Sequence, residues 1–286
     1  MFVINFGSSI IYINKPIKMN WLIPSLCLFV FASFSCTGPS AKPTETTPEQ
    51  EEIAEDIIEI DTTFTLDYLR GYFQPSKHHA FVKVDPAYTD GARVYYLHRE
   101  TWEAFKNMAD SAATDGIKLV IRSAARNFEH QKSIWEGKWT GSRLIEEGAN
   151  AAEKYPDPKT RALRILLYSS MPGTSRHHWG TDLDLNNFTN EFFKQGKGAE
   201  IYQWLVTNGP SFGFCQPYTA KGPDRPHGYE EERWHWSYIP LARQLTELAR
   251  RNLTDEAING FQGAETAPQI GVVEKYVLGI NKECLK

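Results

Sequence analysis

Apolar positions recur along the chain with two periods. Phe81-Val82-Lys83-Val84 and Thr181 to Leu185 alternate apolar with polar residues, as a half-buried strand does. Arg93 to Leu97 is β-prone and leads into a helix, with Leu97, Thr101, Phe105, Met108 and Ala112 at helical spacing and Asp115-Gly116 as its stop. Lys118 to Arg122 reads as a buried strand. Phe128 to Trp139 and Pro158 to Ser169 read as helices, as does Ala199 to Thr207, closed by Asn208-Gly209-Pro210. Trp234 to Tyr238 is a strand by its alternation, and Pro240 to Asn252 a helix. Short strands interspersed with helices, without regular βαβ alternation, predict an α+β fold with a small sheet and flanking helices.

The first sixty residues follow another pattern. Trp21 to Phe34 is an uncharged run of fourteen residues preceded by Lys15 and Lys18. A membrane span needs about 20 apolar residues, so the run fits the core of a secretory signal over 1–35 instead. The small residues before Cys36 resemble a bacterial lipobox, although Phe34 departs from it. Cys36 is therefore the expected lipidation site, simple secretion being the alternative. Residues 36–62, rich in Pro, Thr and Glu, cannot bury enough apolar surface to offset ordering entropy and are expected to form a disordered acidic tether.

Charge sharpens that division. The chain of 286 residues has a formal net charge of -4. Glu45, Glu49, Glu51, Glu52, Glu55, Asp56, Glu59 and Asp61 face Lys42 alone, so the acidity belongs to the tether and the body is nearly neutral. That balance argues against a nucleic-acid binder. The expected organisation is one folded domain over 63–254 with a helical C-terminal appendage over 255–286. Four cysteines are too few and too scattered for a disulfide scaffold. Cys215 and Cys284 could pair after export, but Cys284 lies near the chain end and the pairing stays open.

Two clusters carry candidate chemistry. The first runs from Ser175 through His177, His178, Gly180 and Asp182 to Asp184; the second is Glu231-Glu232-Arg233-Trp234-His235-Trp236. Two imidazoles, His177 and His235, with the Asp184 carboxylate make a three-donor set that leaves a fourth zinc position for water, the mark of a catalytic rather than a structural zinc. Glu232, three residues before His235, is the candidate base. On a regular strand those two residues would point to opposite faces, so Glu232 must lie in the preceding loop or the segment must make a helical turn. Trp234 and Trp236 would share the core face and leave His235 on the other. Glu231 is a rival base, better read as a solvated loop carboxylate. His178 is a rival ligand disfavoured by spacing. Asp182, on the same strand face as Asp184, is either a hydrogen-bond partner behind a ligand or a rival ligand. His227 reads as a loop histidine, and His78, His79, His98 and His130 as ordinary surface or half-buried residues.

Ser175-x-His177-x-x-Gly180-x-x-x-Asp184 followed by Glu232-x-x-His235-Trp236 resembles the D-alanyl-D-alanine carboxypeptidases of the vancomycin-resistance type. These group with the lysostaphin-type peptidases and the hedgehog signalling domain in one zinc fold. Ser123-Ala124-Ala125-Arg126-Asn127-Phe128-Glu129-His130-Gln131 is similar to that family's SGYRSxxxQ segment, and the likeness spans about 120–240. The resemblance implies one Zn2+ ion held by His177, Asp184 and His235, with Glu232 as base. It implies that Arg126 holds a substrate carboxylate or polarises the scissile carbonyl, and that Ser175 and Gln131 contact substrate. It also implies peptidoglycan stem peptides ending in D-Ala-D-Ala as substrate; the signal-like run and Cys36, separately, make a membrane-anchored lipoprotein of the cell envelope the expectation. The sequence departs from the family at Asp182, usually Ala, at Ala124-Ala125, and at Ser237, often Arg. An L-alanyl-D-glutamate endopeptidase, a D-Ala-D-Ala dipeptidase and a non-catalytic zinc-containing cell-wall module are the alternatives.

Overall fold

The computed structural model describes residue 61 and residues 63–286 apart from 147. The expected signal segment, Cys36 and nearly all of the tether lie outside the described residues. Among the described residues six strands form two antiparallel sheets: β1 (Phe81–Lys83) pairs with β2 (Tyr96–His98), while β3 (Ile121–Ser123), β4 (Asp182–Leu185), β5 (Phe214–Cys215) and β6 (His235–Tyr238) form a sheet of order β3-β4-β6-β5. The α-helices are α1 (Leu66–Leu69), α2 (Arg99–Thr114), α3 (Phe128–Thr140), α4 (Ala151–Lys154), α5 (Pro158–Ile165), α6 (Gly196–Asn208), α7 (Ile239–Asn252) and α8 (Ala267–Ile270). This is the α+β class that the alternation predicts.

Helix boundaries follow local capping chemistry. Asn127 accepts from the His130 N–H at the start of α3, and Gly141 closes that helix in the left-handed region. Asp157 caps α5 with Pro158 at the first helical position. That helix stops at Ile165, short of the expected Ser169. The strand expected over 118–122 begins only at Ile121. The Asn186 amide, on a backbone with φ 61°, bonds the N–H of Val120 and the carbonyl of Lys118, taking the place of a strand ladder there.

The central sheet separates two kinds of surface. Leu183 and Leu185 of β4 and Trp236 of β6 are buried with Phe105 and Met108 of α2 and Leu205 of α6. The period-2 alternation then places Asp182, Asp184, His235 and Ser237 together on the opposite face. In register, Asp184 pairs with His235 and Asp182 with Ser237. A second core joins Trp135 and Trp139 of α3, Ile165 of α5 and Leu245 of α7 to Ile258, Ile270, Val273 and Ile280 of the C-terminal segment. That segment is a run of single turns and short helices rather than one helix, and its last turn carries a disulfide from Cys284 to Cys215 in β5.

Candidate metal centre and active-site cleft

Residues Arg176–Trp179 form a single tight turn between Ser175 and Gly180. Gly180 has φ 72°, and a Cβ there would meet the Phe81 ring at 2.5 Å and the His98 nitrogen at 2.9 Å. Only glycine lets the chain reverse against that ring and enter β4. The turn aims His177 inward. Its Nδ1 lies 2.9 Å from the Ala124 carbonyl, which can only accept, so Nδ1 carries the proton and Nε2 presents its lone pair. Nε2 lies 3.4 Å from Asp184 Oδ2. His178 points elsewhere. Its Nδ1–H donates to the Arg126 carbonyl and its Nε2 accepts from the Gly173 N–H, so both nitrogens are used in holding backbone.

Glu232 lies in the loop before β6, and its carbonyl accepts from the His235 N–H at 3.3 Å. That turn is how residues three apart reach one side. Glu232 Oε2 is 3.2 Å from His235 Nδ1, and Asp184 Oδ1 is 3.3 Å from the same atom. His177, Asp184 and His235, all buried, offer donor atoms within 4.8 Å of one another. Trp234 and Trp236 are both buried in the core with Leu183 and Leu185, but Trp234, just before β6, also lines the cleft, so the shared core face the alternation predicts holds fully only for Trp236.

Electrostatics differ sharply among these groups. Burial opposes ionisation of Asp184, but His177 and His235 beside it hold its carboxyl far below the usual range. Burial likewise opposes charge on His235, and the Asp182, Asp184 and Glu232 carboxylates around its ring override it, lifting its pKa well above an ordinary imidazole. Burial, with the Arg126 charge, lowers His177. Glu232 is raised by burial, which suits a carboxylate that must accept and release a proton.

The cluster sits in a cleft of about 1260 Å3. Arg126, Gln131 and Ser175 all line it. Arg126 follows β3, its backbone N–H bonded to the His177 carbonyl, and its Nε is buried with no hydrogen-bond partner. Ser175 Oγ is also buried and unpartnered. The Gln131 amide donates to the Ser170 carbonyl, leaving its buried Oε1 unpaired. Glu231 is ion-paired with Arg233, and His227 is exposed. Half-buried His130 lines the cleft wall.

Two residues that carry no motif complete the arrangement. The Gln216 amide donates to the carbonyls of Tyr218 and Glu232, and the Glu232 N–H donates to the Tyr218 carbonyl at 2.9 Å. The Tyr218 ring packs edge-on against His235 at 4.8 Å. Apart from that ring contact, they act through bonds to backbone, which leave no residue-type signature in a sequence.

The family model of VanY, D-alanyl-D-alanine carboxypeptidase, matches residues 94–241, just over half of the chain. The chain is 28% identical over 138 residues to the D-alanyl-D-alanine carboxypeptidase of Enterococcus faecalis, covering 48% of this chain and 46% of that protein. It is 25% identical over 175 residues to the putative carboxypeptidase YodJ of Bacillus subtilis, covering 60% and 56%. The chain thus spans about half the length of the curated relatives it matches. Among solved structures it is similar to a mutant of the vancomycin-resistance D,D-pentapeptidase VanY in complex with Zn(II), with 22% identity, 64% of this chain and 93% of that chain covered, and a TM-score of 0.39. With the matched region containing Arg126, His177, Asp184, Glu232 and His235, the chain belongs to the VanY family of D-alanyl-D-alanine carboxypeptidases.

Proposed function

We propose that this protein is a zinc-dependent carboxypeptidase that removes the terminal D-Ala from peptidoglycan stem peptides ending in D-Ala-D-Ala. The observation that carries the reading is the convergence, in one cleft, of the His177, Asp184 and His235 donors with the Glu232 carboxylate and the unpartnered Arg126 Nε.

The donor set fits a zinc ion. Asp184 Oδ1 is buried and, though 3.3 Å from His235 Nδ1, makes no hydrogen bond. Two imidazoles and one carboxylate are an established catalytic-zinc combination, and among the described residues no cysteine joins the set. When bound, zinc would acidify a water and polarise the scissile carbonyl.

The chain's own groups supply the rest. Glu232 is placed to take a proton from the attacking water and to hand it to the leaving amine, help typically worth about 10²–10⁴-fold. Arg126 offers a planar fork suited to a carboxylate, favouring cleavage next to a free C-terminus. Ser175 Oγ and Gln131 Oε1, buried without partners, are available to the substrate backbone.

Export fits the same reading. A disulfide between Cys215 and Cys284 is at home in an oxidising compartment, and with the apolar run 21–34 and Cys36 it supports a lipid-anchored envelope protein facing the cell wall. Mass spectrometry of defined muropeptides before and after incubation with the zinc-loaded protein tests the function. Loss of a single D-Ala is expected. Release of the D-Ala-D-Ala dipeptide, cleavage after L-Ala, or no turnover would refute it.

A further inference from the structure

Behind His235, on the side away from Glu232, lies a second carboxylate with no role in the donor cluster. Asp182 is fully buried and accepts four hydrogen bonds. Its Oδ1 receives His235 Nε2 at 2.9 Å and Arg176 Nε at 3.1 Å. Its Oδ2 receives Thr181 Oγ1 at 2.5 Å and Ser237 Oγ at 3.0 Å. Both oxygens are therefore committed, and Asp182 is not a rival ligand.

Arg176 is buried as completely. Its Nη1 donates to Thr246 Oγ1 at 2.9 Å in α7 and its Nη2 to Ser237 Oγ at 2.7 Å, and its guanidinium lies 4.5 Å from the Trp179 ring centre. Four elements thus converge on one ion pair: the 176–179 turn, β4, β6 and α7. Removing either charge alone would strand the other in the interior.

The geometry decides which imidazole atom meets the cluster. An ionised carboxylate can only accept, so the Asp182 contact requires a proton on His235 Nε2. The atom facing Asp184 and Glu232 is then Nδ1. Outer partners of this kind fix ring orientation and tautomer and raise ligand basicity.

We propose that Asp182 is a positioning residue that holds His235 with Nε2 protonated, so that Nδ1 is the atom offered to the metal, and that Arg176 fixes Asp182 in that task. The inference rests on the zinc reading above and adds what orients His235 within it. Asp182→Asn alone would leave Arg176 without its counter-charge, so the informative variant is the neutral pair Arg176→Gln with Asp182→Asn. An amide at 182 can donate to Nε2 as readily as accept from it, and the tautomer is no longer dictated.

Zinc affinity is measured by competition with a chromogenic chelator, on the wild type, the double variant and Leu245→Ala, a core truncation in α7 that serves as the stability-matched control. The double variant is expected to lose about 10–100-fold in zinc affinity, while Leu245→Ala stays within about threefold of wild type at a comparable loss of Tm. Long-range 1H–15N spectra of the zinc-loaded wild type are expected to show the His235 proton on Nε2, a readout that does not depend on the variants folding. A proton on Nδ1, or zinc affinity of the folded double variant within threefold of wild type, would overturn the inference while leaving the zinc site standing. A wild-type protein that takes up no zinc would sink the zinc reading and this inference together.

Discussion

Glu232 Oε2 lies 3.2 Å from Nδ1 of His235, the two residues being brought to one side by a single turn whose closing bond runs from the His235 N–H to the Glu232 carbonyl. The proposed ligand and the proposed base, three residues apart, can therefore be altered separately. Glu232→Gln keeps the shape and leaves His177, Asp184 and His235 in place. It should retain zinc near one equivalent by metal analysis while hydrolysis falls by about 10²-fold or more. His235→Ala should lose the metal, and zinc added to the chelator-treated wild type should restore activity where added zinc cannot rescue the variant. Near wild-type turnover by Glu232→Gln would remove Glu232 from the chemistry.

Arg126 carries its charge into the cleft with Nε buried and unpartnered, close enough to Asp184 and Glu232 for their charges to act on it. A substrate carboxylate would complete the guanidinium's bonding. Arg126→Ala should raise KM for a peptide with a free C-terminal carboxylate by about 10–100-fold, the range of a charge-assisted hydrogen bond. It should also abolish the preference over the same peptide with an amidated C-terminus. Steady-state kinetics on the two peptides measure this, and a preference that survives the substitution would place carboxylate recognition elsewhere.

The parts of this site legible in the sequence are those that residue type dictates. His177, Asp184, Glu232 and His235 have chemistry that few other residues can supply, and the alternation around Leu183 and Trp236 fixes the face that Asp184 and His235 share. The relation between Glu232 and His235 needed coordinates, because a loop and a helical turn satisfy the same spacing; the chain uses a loop residue closed onto the strand by one turn. Asp182 and Ser237, both departures from the family pattern, are hydrogen-bonded to each other and to Arg176, a coupling that a residue-by-residue reading cannot reveal. Gln216 acts through its amide on backbone carbonyls and Tyr218 through its carbonyl and a ring contact, and neither leaves a pattern. The C-terminal segment was illegible for another reason: its short turns lack a helical period, and its order comes from packing on α3 and α7 and from the bond to Cys215.

That bond reaches the loop that carries Glu232. Cys284 holds Cys215, while Asn281 donates to the carbonyls of Pro217 and Gln216, and Gln216 in turn holds the Glu232 carbonyl. The bridge closes a sequence separation of 69 residues, a loop for which cross-linking is worth about 4 kcal/mol in the chain-entropy account. Cys284→Ser should lower unfolding stability by about 2–5 kcal/mol. Below its Tm the variant should also show a severalfold lower kcat at unchanged zinc content. Chemical denaturation with and without reductant reads the first effect. A reductant that shifts the Cys284→Ser variant as much as the wild type would show that the disulfide is not its cause.

His98 is a helix cap of an unusual type. Its Nδ1 accepts from the Glu100 N–H at the start of α2, so the cap works only while the ring is neutral. Burial lowers its pKa from 6.5 to about 4, with the nearby charges of His78, Arg99 and His79 acting in the same direction and Asp61 against them. An imidazolium there would lose the acceptor and set a positive charge against the positive end of the helix dipole. In the unfolded chain His98 takes its proton near pH 6.5, before the folded protein does. Its contribution is therefore fully present above that pH and is lost as the pH falls toward about 4. The loss should be on the order of 1–2 kcal/mol, less than the full shift because part of the ring reaches solvent. His98→Asn keeps a side-chain acceptor at the cap without titrating. Urea unfolding between pH 7 and 4 should show a shallower fall in stability for this variant than for the wild type, and parallel curves would show that the cap is not a titrating element.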